Sequence, residues 1–288
     1  DNSIQRGYIN SIIEDTDGNI WLSSDHGGIS VCDKKGKVLS RLVNHPTDGN
    51  SLASNSIYTL YCDDSGNVWV GYTKNGLSIY RGKNKVWSML HVRSLHERNL
   101  NDDINSTCED AEGNIWLGTD GYGLIKLDPE TGEETVYTSD NSCLGSNVIT
   151  DIHCDHKGRI WVGTFYGGLS CIEGNRMRTW RYGAEDSFLA SDNIWSIDHD
   201  AEGRIWLGTL GGGVQSYDPE SGEVNCYRSG PGGLSNDAVH DIDCTEDGKV
   251  YVATAYGLSI IDSHTGNVDI VVSDNMTLKS IINVMCDS

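Results

Sequence analysis

Proline, phenylalanine and basic residues are scarce in this chain: four Pro, two Phe, and 21 Lys and Arg against 42 Asp and Glu. So little proline beside 34 Gly excludes collagen-like and proline-rich disordered chains and points to many turns. The formal charge of −21 speaks against nucleic acid, because binding to phosphates needs Lys and Arg to displace counterions. An anionic membrane surface is disfavoured for the same reason. No apolar run approaches the roughly 18 residues of a spanning helix, and no basic-then-apolar opening marks a secretion signal in this numbering. The nine cysteines contain no Cys-x-x-Cys pair, which removes zinc-ribbon and thioredoxin-type sites. Gly-x-Ser-x-Gly, His-Glu-x-x-His and a phosphate-cradling loop ending in Lys-Ser/Thr are also missing. Gly211-Gly212-Gly213 is followed by no helix and reads as a tight loop.

What is present is a repeat. Asp110-Ala111-Glu112-Gly113-Asn114-Ile115-Trp116-Leu117-Gly118-Thr119 recurs as 15–24, 63–72, 155–164, 200–209 and, more loosely, 245–254. The turn glycines are Gly18, Gly66, Gly113, Gly158, Gly203 and Gly248, spaced by 48, 47, 45, 45 and 45 residues. A fixed period in this range marks a repeat architecture. Asp and Gly bracket a tight turn, and Ile-Trp-Leu or Val-Trp-Val has the composition of a buried strand. A Gly-rich loop, a second short strand such as Gly123–Asp128, a Pro129–Glu133 turn and a third strand at Thr135–Tyr137 follow, with a further strand at Ile104–Glu109 upstream. Four short antiparallel strands per copy are the content of a propeller blade. The expected fold is all-β: one β-propeller domain over 1–288, with six complete four-stranded blades plus the first strand of a seventh near Ile281–Cys286. The chain stops where the next turn glycine is due and reads as a fragment of a longer protein. Trp21, Trp69, Trp116, Trp161, Trp206 and Tyr251 are expected to be buried at equivalent places between blades. Cys62, Cys154 and Cys244 share one position in their copies and so should lie too far apart to pair.

The motif Asp-x-x-Gly-Asn-Ile-Trp-Leu-Gly-Thr followed by Gly-Leu resembles the two-component regulator propeller repeat. The lead-ins Leu52-Ala53-Ser54-Asn55, Leu144-Gly145-Ser146-Asn147 and Leu234-Ser235-Asn236 look like that family's Leu-x-x-Asn. The resemblance implies the periplasmic sensor half of a hybrid two-component system, with membrane span, kinase and regulator elsewhere in the full chain. It implies glycan fragments as ligands and neighbouring domains of the same chain as partners, and leaves a homodimer of the full-length protein open.

Candidate site residues come from comparing copies. Positions that the blade needs repeat, and positions that vary are free for function. Eight residues before the turn glycine stand Asn10, Tyr58, Asn105, Thr150, Trp195 and His240. Seven to nine residues after it stand Asp25 and His26, Lys74 and Asn75, Asp120 and Tyr122, Phe165 and Tyr166, and Tyr256. In a propeller both sets fall on one face, around the channel mouth. A sugar, with an apolar ring face and a rim of hydroxyls, suits this mixture of aromatics, amides and carboxylates. Tyr58 and Trp195 are placed to stack; Asn105, Asp120 and His26 are placed to meet hydroxyls. No catalytic residue, metal or cofactor is expected. His153-Cys154-Asp155-His156 has ligand types, but strand alternation sends neighbours to opposite faces. The turns at Asp15 and Asp63 resemble calcium loops without the bidentate Glu. Two other classes stay open: a polysaccharide lyase or hydrolase with His26, His240 or Tyr58 as base, and a protein-interaction scaffold using the basic patch of Arg81, Lys83, Lys85, Arg93 and Arg98 with His91 and His96.

Overall fold

The computed structural model describes residues 8–74, 76–82, 86–90, 103–271 and 280–286. It is all-β among these residues, a β-propeller of six four-stranded sheets, each an antiparallel meander in sequence order. Blade one is β1 (Ile9–Glu14), β2 (Ile20–Ser24), β3 (Gly28–Cys32) and β4 (Val38–Leu42). Blade two is β5 (Ile57–Cys62), β6 (Asn67–Tyr72), β7 (Leu77–Arg81) and β8 (Val86–Leu90); blade three is β9 (Ile104–Glu109), β10 (Ile115–Thr119), β11 (Leu124–Leu127) and β12 (Glu134–Tyr137). Blade four is β13 (Ile149–Cys154), β14 (Ile160–Thr164), β15 (Gly168–Glu173) and β16 (Arg176–Trp180). Blade five is β17 (Ile194–His199), β18 (Ile205–Thr209), β19 (Gly213–Tyr217) and β20 (Val224–Tyr227); blade six is β21 (Val239–Cys244), β22 (Lys249–Thr254), β23 (Gly257–Asp262) and β24 (Val268–Ile270). The chain divides into two compact units, Asp1–Val136 and Tyr137–Ser288.

In the first five blades the aspartate that opens the turn organises its blade. Asp63 accepts the amide of Asn67 at 2.7 Å on Oδ1, and on Oδ2 the Asn67 side chain at 2.8 Å and the Trp69 indole N–H at 2.9 Å. The same indole bond joins Trp21 to Asp15 at 2.7 Å, Trp116 to Asp110 at 2.9 Å, Trp161 to Asp155 at 2.8 Å and Trp206 to Asp200 at 2.8 Å. In blades four and five the asparagine gives way to arginine. Arg159 and Arg204 donate Nε to the same carboxylates at 2.6 and 2.7 Å and lay the guanidinium over the indole. Blade six changes both partners together. Thr245 accepts the Lys249 amide through Oγ1 at 3.0 Å, and Tyr251 stands where the tryptophan would. The five tryptophans are buried as expected, but Tyr251 is only half-buried. Without the buried carboxylate, a phenol hydroxyl is better left within reach of water.

Within each unit the indoles pack against the following blade. Trp69 joins Ile104, Ile115 and Leu117; Trp161 joins Ile194, Ile197, Ile205 and Leu207; Trp206 joins Val239, Ile242 and Val250. The motif's Gly-Thr glycine serves this approach and not a turn. A Cβ on Gly163 would meet Ile194 at 2.9 Å, and one on Gly208 would meet Val239 at 2.7 Å.

Neighbouring inner strands of unit two are tied by side chains. Asp151 accepts the Ile197 amide at 2.7 Å, Ser196 the Ile242 amide at 3.0 Å, and Asp198 the Cys244 amide at 2.7 Å. The segment 281–286 is held the same way, with Val284 donating to Asp241 at 2.9 Å and Cys286 to Asp243 at 2.5 Å. It forms no strand, contrary to expectation: the Ile281 amide goes to the Thr254 carbonyl at 3.1 Å, and no strand among the described residues pairs with the segment as β18 pairs with β17 and β22 with β21. All nine cysteines are free.

Removing the Trp116 indole should cost about 3–5 kcal/mol in Trp116→Ala, measured by urea unfolding; a loss below about 1 kcal/mol would contradict the burial described. The hydrogen bond itself is exposed by acid. Burial pushes the Asp110 carboxyl up, but the Trp116 indole N–H, Asn114 and Lys126 outweigh it and hold it below its ordinary value. A depressed carboxyl contributes stability above its unfolded pKa of about 3.9 and loses it as pH falls below. The stability gap between the parent chain and Asp110→Asn should therefore be full at neutral pH and shrink below about pH 4.

Candidate functional site

Each blade joins its second-strand loop to the residue leading into its inner strand. Asp25 donates its amide to Tyr8 O at 3.1 Å, Thr73 to Ser56 O at 3.1 Å, Asp120 to Asp103 O at 3.1 Å, Phe165 to Val148 O at 3.0 Å, Leu210 to Asn193 O at 3.0 Å and Ala255 to Ala238 O at 3.0 Å. The two sets of variable positions chosen from the sequence therefore share one end of their blade. The next loop residue takes left-handed backbone in five blades. It is Gly121 and Gly211 in two of them, but His26 (φ 64°), Lys74 (φ 70°) and Tyr166 (φ 58°) in the others. These three are the non-glycine residues with positive φ among the described residues. Such a residue costs on the order of 1 kcal/mol and persists where its surroundings hold it. Two are held by the following blade: Lys74 donates its amide to Asp103 Oδ1 at 2.5 Å, and Tyr166 donates to Asn193 Oδ1 at 3.0 Å. Sequence comparison passed over Asp103 and Asn193. Their signal is an Asp or Asn ten residues before the turn glycine, following a blade without the loop glycine.

In unit one, His26 Nδ1 lies 2.7 Å from Asp25 Oδ1, both side chains facing solvent. Tyr58 is 42% exposed. Burial of part of its ring, then the carboxylates of Asp120 and Asp103, push its hydroxyl pKa up. Asp120 and Lys74 are exposed, and Tyr122 is half-buried against the Trp69 cluster. Asn105 is half-buried at the start of β9. Asn75 lies outside the described residues, as do all members of the basic patch except the exposed Arg81.

In unit two, the structure assembles an aromatic trio. The rings of Phe165 and Tyr166 have centroids 4.2 Å apart, and Trp195 meets Phe165 edge-on at 6.2 Å. Tyr166 is 64% exposed, while Phe165 and Trp195 are half-buried. Arg181 donates to the carbonyls of Tyr166 and Gly145 at 3.1 and 3.2 Å, fixing the loop's outer side. His240 is half-buried, which lowers its pKa, and Tyr256 is exposed. Among the described residues no ring contact joins either to the trio. The −8 positions are not all free: Asn10 and Thr150 donate to the carbonyls of Ile57 and Ile194 in the next inner strand.

Two grooves of unit one, about 510 and 400 Å³, lie at the opposite end of the blades. They are lined by the repeated turn residues, Asp15, Asn19 and Trp21 in one and Asp63, Asn67 and Trp69 in the other. Every blade needs those residues for itself, so the grooves are seams of packing. For a metal, the residues that gather are His153, Asp198 and His199, whose ligand atoms lie within 4.8 Å of one another. The expected separation of His153 from its sequence neighbours leaves room for a histidine 46 residues away.

The two component regulator propeller repeat matches residues 3–26, 51–74, 100–121, 143–166 and 189–211. Five segments of the chain are thus similar to that repeat. No curated protein matches it. Among solved structures it is similar to the extracellular domain of BT3049 of B. thetaiotaomicron, assigned as a hybrid two component system, at 25% identity and a TM-score of 0.78 over 93% of this chain and 34% of that one. The extracellular domain of BT4673 of the same organism, assigned as a one component system, matches at 18% identity and 0.72 over 95% and 39%. PorZ, a surface component of the type-IX secretion system of Porphyromonas gingivalis, matches at 16% and 0.69 over 90% and 39%. The chain thus spans little more than a third of these proteins, and the last two show the fold alone.

Tyr166→Gly should relieve the left-handed strain and leave the chain as stable or more stable, by up to about 1 kcal/mol in urea unfolding, although it deletes a large side chain. A loss above about 1 kcal/mol would show that the ring at 166 serves packing.

Proposed function

We propose that this chain, built from two component regulator propeller repeats, is a non-enzymatic ligand-sensing module of an extracytoplasmic signalling receptor, and that it binds a glycan fragment at the second-strand loops. One observation carries the reading. Three loops place His26, Lys74 and Tyr166 on left-handed backbone where sibling blades use glycine, and two of the three are capped by the next blade. A blade does not need those side chains, so the strain is best understood as serving something outside the blade. The neighbouring side chains suit a sugar. Phe165, Tyr166 and Trp195 offer ring faces in unit two; Tyr58 with Asp120, and Asp25 with His26, offer an aromatic and hydrogen-bonding groups in unit one. A periplasmic setting agrees with relatives that are extracellular domains. The rival enzyme reading has His26, His240 or Tyr58 as base; His26, paired with Asp25, stands in open solvent and lacks the water-excluded surroundings that strengthen charge stabilisation.

The chain should be incubated with a panel of oligosaccharides, reading both melting temperature and released product. A rise in melting temperature without product is the expected result. Product would replace the sensor with an enzyme, and neither would remove the glycan. For a glycan that binds, Trp195→Ala should weaken affinity more than tenfold, about 1.4 kcal/mol. Folding should survive, since other copies carry Asn or Thr there. Glu130→Ala, in a turn at the opposite blade end, should leave affinity unchanged; the reverse pattern would mean that the ligand sits on the other face.

A further inference from the structure

The inner strands of unit two follow a rule that one residue breaks. Seven and five residues before the turn glycine, a side chain accepts an amide of the next inner strand: Asp151 from Ile197, Ser196 from Ile242, Asp198 from Cys244. His153 occupies in β13 the position that Asp198 occupies in β17. It faces the ring of His199 and not its amide, which Asp198 Oδ1 takes at 2.8 Å. His153 Nε2 and His199 Nδ1 are 2.6 Å apart. At that separation one of the two nitrogens must present a lone pair to the other. Asp198 Oδ1 lies 3.9 Å from His199 Nδ1 and 3.7 Å from His153 Nδ1, the ring nitrogen other than the one that meets His199; one nitrogen of each ring and a carboxylate oxygen lie within 4.8 Å of one another. The second oxygen of Asp198 is fixed by the Cys244 amide at 2.7 Å. On its other side the His199 ring stacks against His156, with centroids 5.5 Å apart.

We propose that His153, His199 and Asp198 form a binding site for a divalent first-row transition metal of the zinc class, linking the inner strands of blades four and five. Two imidazoles and one carboxylate are the donor set of zinc, cobalt, nickel and iron, and not of calcium or magnesium. Tetrahedral zinc with bonds of about 2.0–2.1 Å separates its nitrogen ligands by about 3.3 Å. The two rings must therefore part by less than about 1 Å, which is within reach of small rotations about their side-chain bonds. The carboxylate is already oriented by a backbone amide, the kind of outer support that holds metal ligands in place. Three protein ligands leave a fourth position for water or an incoming group. A blade that needed only packing here could use the acceptor its sibling uses, and the histidine pair is the departure from that pattern.

The test is titration of the metal-free chain with Zn(II) by calorimetry and with Co(II) by visible absorption. One ion per chain should bind with a Kd of about 10 µM or tighter, and Co(II) should develop the visible bands of a low-coordinate site. His153→Asn and His199→Gln should each weaken binding by about a hundredfold or more. The amide oxygen introduced by His153→Asn can supply the acceptor that sibling strands use, so this variant is expected to fold, and its melting temperature without metal will show that it has. His264→Gln, at an exposed histidine elsewhere in the unit, should bind as the parent does. Absence of stoichiometric binding in the parent chain overturns the site. So does unchanged binding in either histidine variant that melts as a folded protein.

Discussion

The bond from a buried indole N–H to the carboxylate six residues earlier is the constraint on which each of the first five blades depends. A tryptophan supplies more buried area than any other side chain, but its N–H is expensive to bury without an acceptor. The turn aspartate removes that penalty while also accepting the backbone amide that closes the turn. One side chain thus couples the turn to the strand after it. Because the indole packs on the next blade, turn chemistry in one blade positions the inner strand of its neighbour. No single blade could bury its faces alone, which is the general condition of repeat proteins. Blade six tests the logic from the other side: where tryptophan is absent, the aspartate is absent too, and Thr245 closes the turn with a hydroxyl.

A second constraint alters the meaning of the acidic composition. Read from the sequence, a charge of −21 suggests a solvated acidic surface. In unit two several of those acids are instead half-buried acceptors between inner strands. Burial pushes Asp241 up to about 8 against the Val284 amide and Ser196 hydroxyl that lower it. Asp243 is also raised by burial, against its bonds to Cys286. These carboxyls tie adjacent strands whose backbone edges carry no ladder to each other. A carboxyl kept close to its neutral form can do this with less desolvation penalty than a full charge. Composition alone cannot separate a structural acid from a solvated one; its place seven or five residues before the turn glycine can.

Much of the architecture was readable because the repeat announces itself through local chemistry. Turn glycines at a near-constant spacing and a tryptophan three residues later give blade number, strand number and the buried positions. The misreadings came from contacts that reach across blades. Asn236 resembles the lead-in asparagine, but Asp237 stands three residues after Leu234 and bonds the Ser229 amide at 2.6 Å, as Asn55 and Asn147 bond theirs. Residues 281–286 carry the inner-strand pattern and its side-chain ties, but no second strand among the described residues pairs with them. His153 and His199 could not be paired from sequence, because they sit one residue apart in the repeat and meet only through the packing of neighbouring inner strands.

The same cross-blade contacts change which variable residues are informative. Variation among copies marks freedom from the blade's own needs at some positions and not at others. Asn10 and Thr150 vary within the −8 set and still bond the next inner strand, so variation there can reflect alternative ways of making one structural tie. The loop position after the second strand is different. Glycine satisfies it in two blades at no steric penalty, and three blades replace glycine with a side chain that the backbone disfavours. Asp103 and Asn193, on the following blades, then cap the strained amides. A side chain that adds strain, faces solvent and needs a neighbour to hold its backbone is a stronger pointer to binding than one that merely differs. By that criterion Lys74 and Tyr166, with the aromatics around Tyr166, rank above the remainder of the set chosen from sequence.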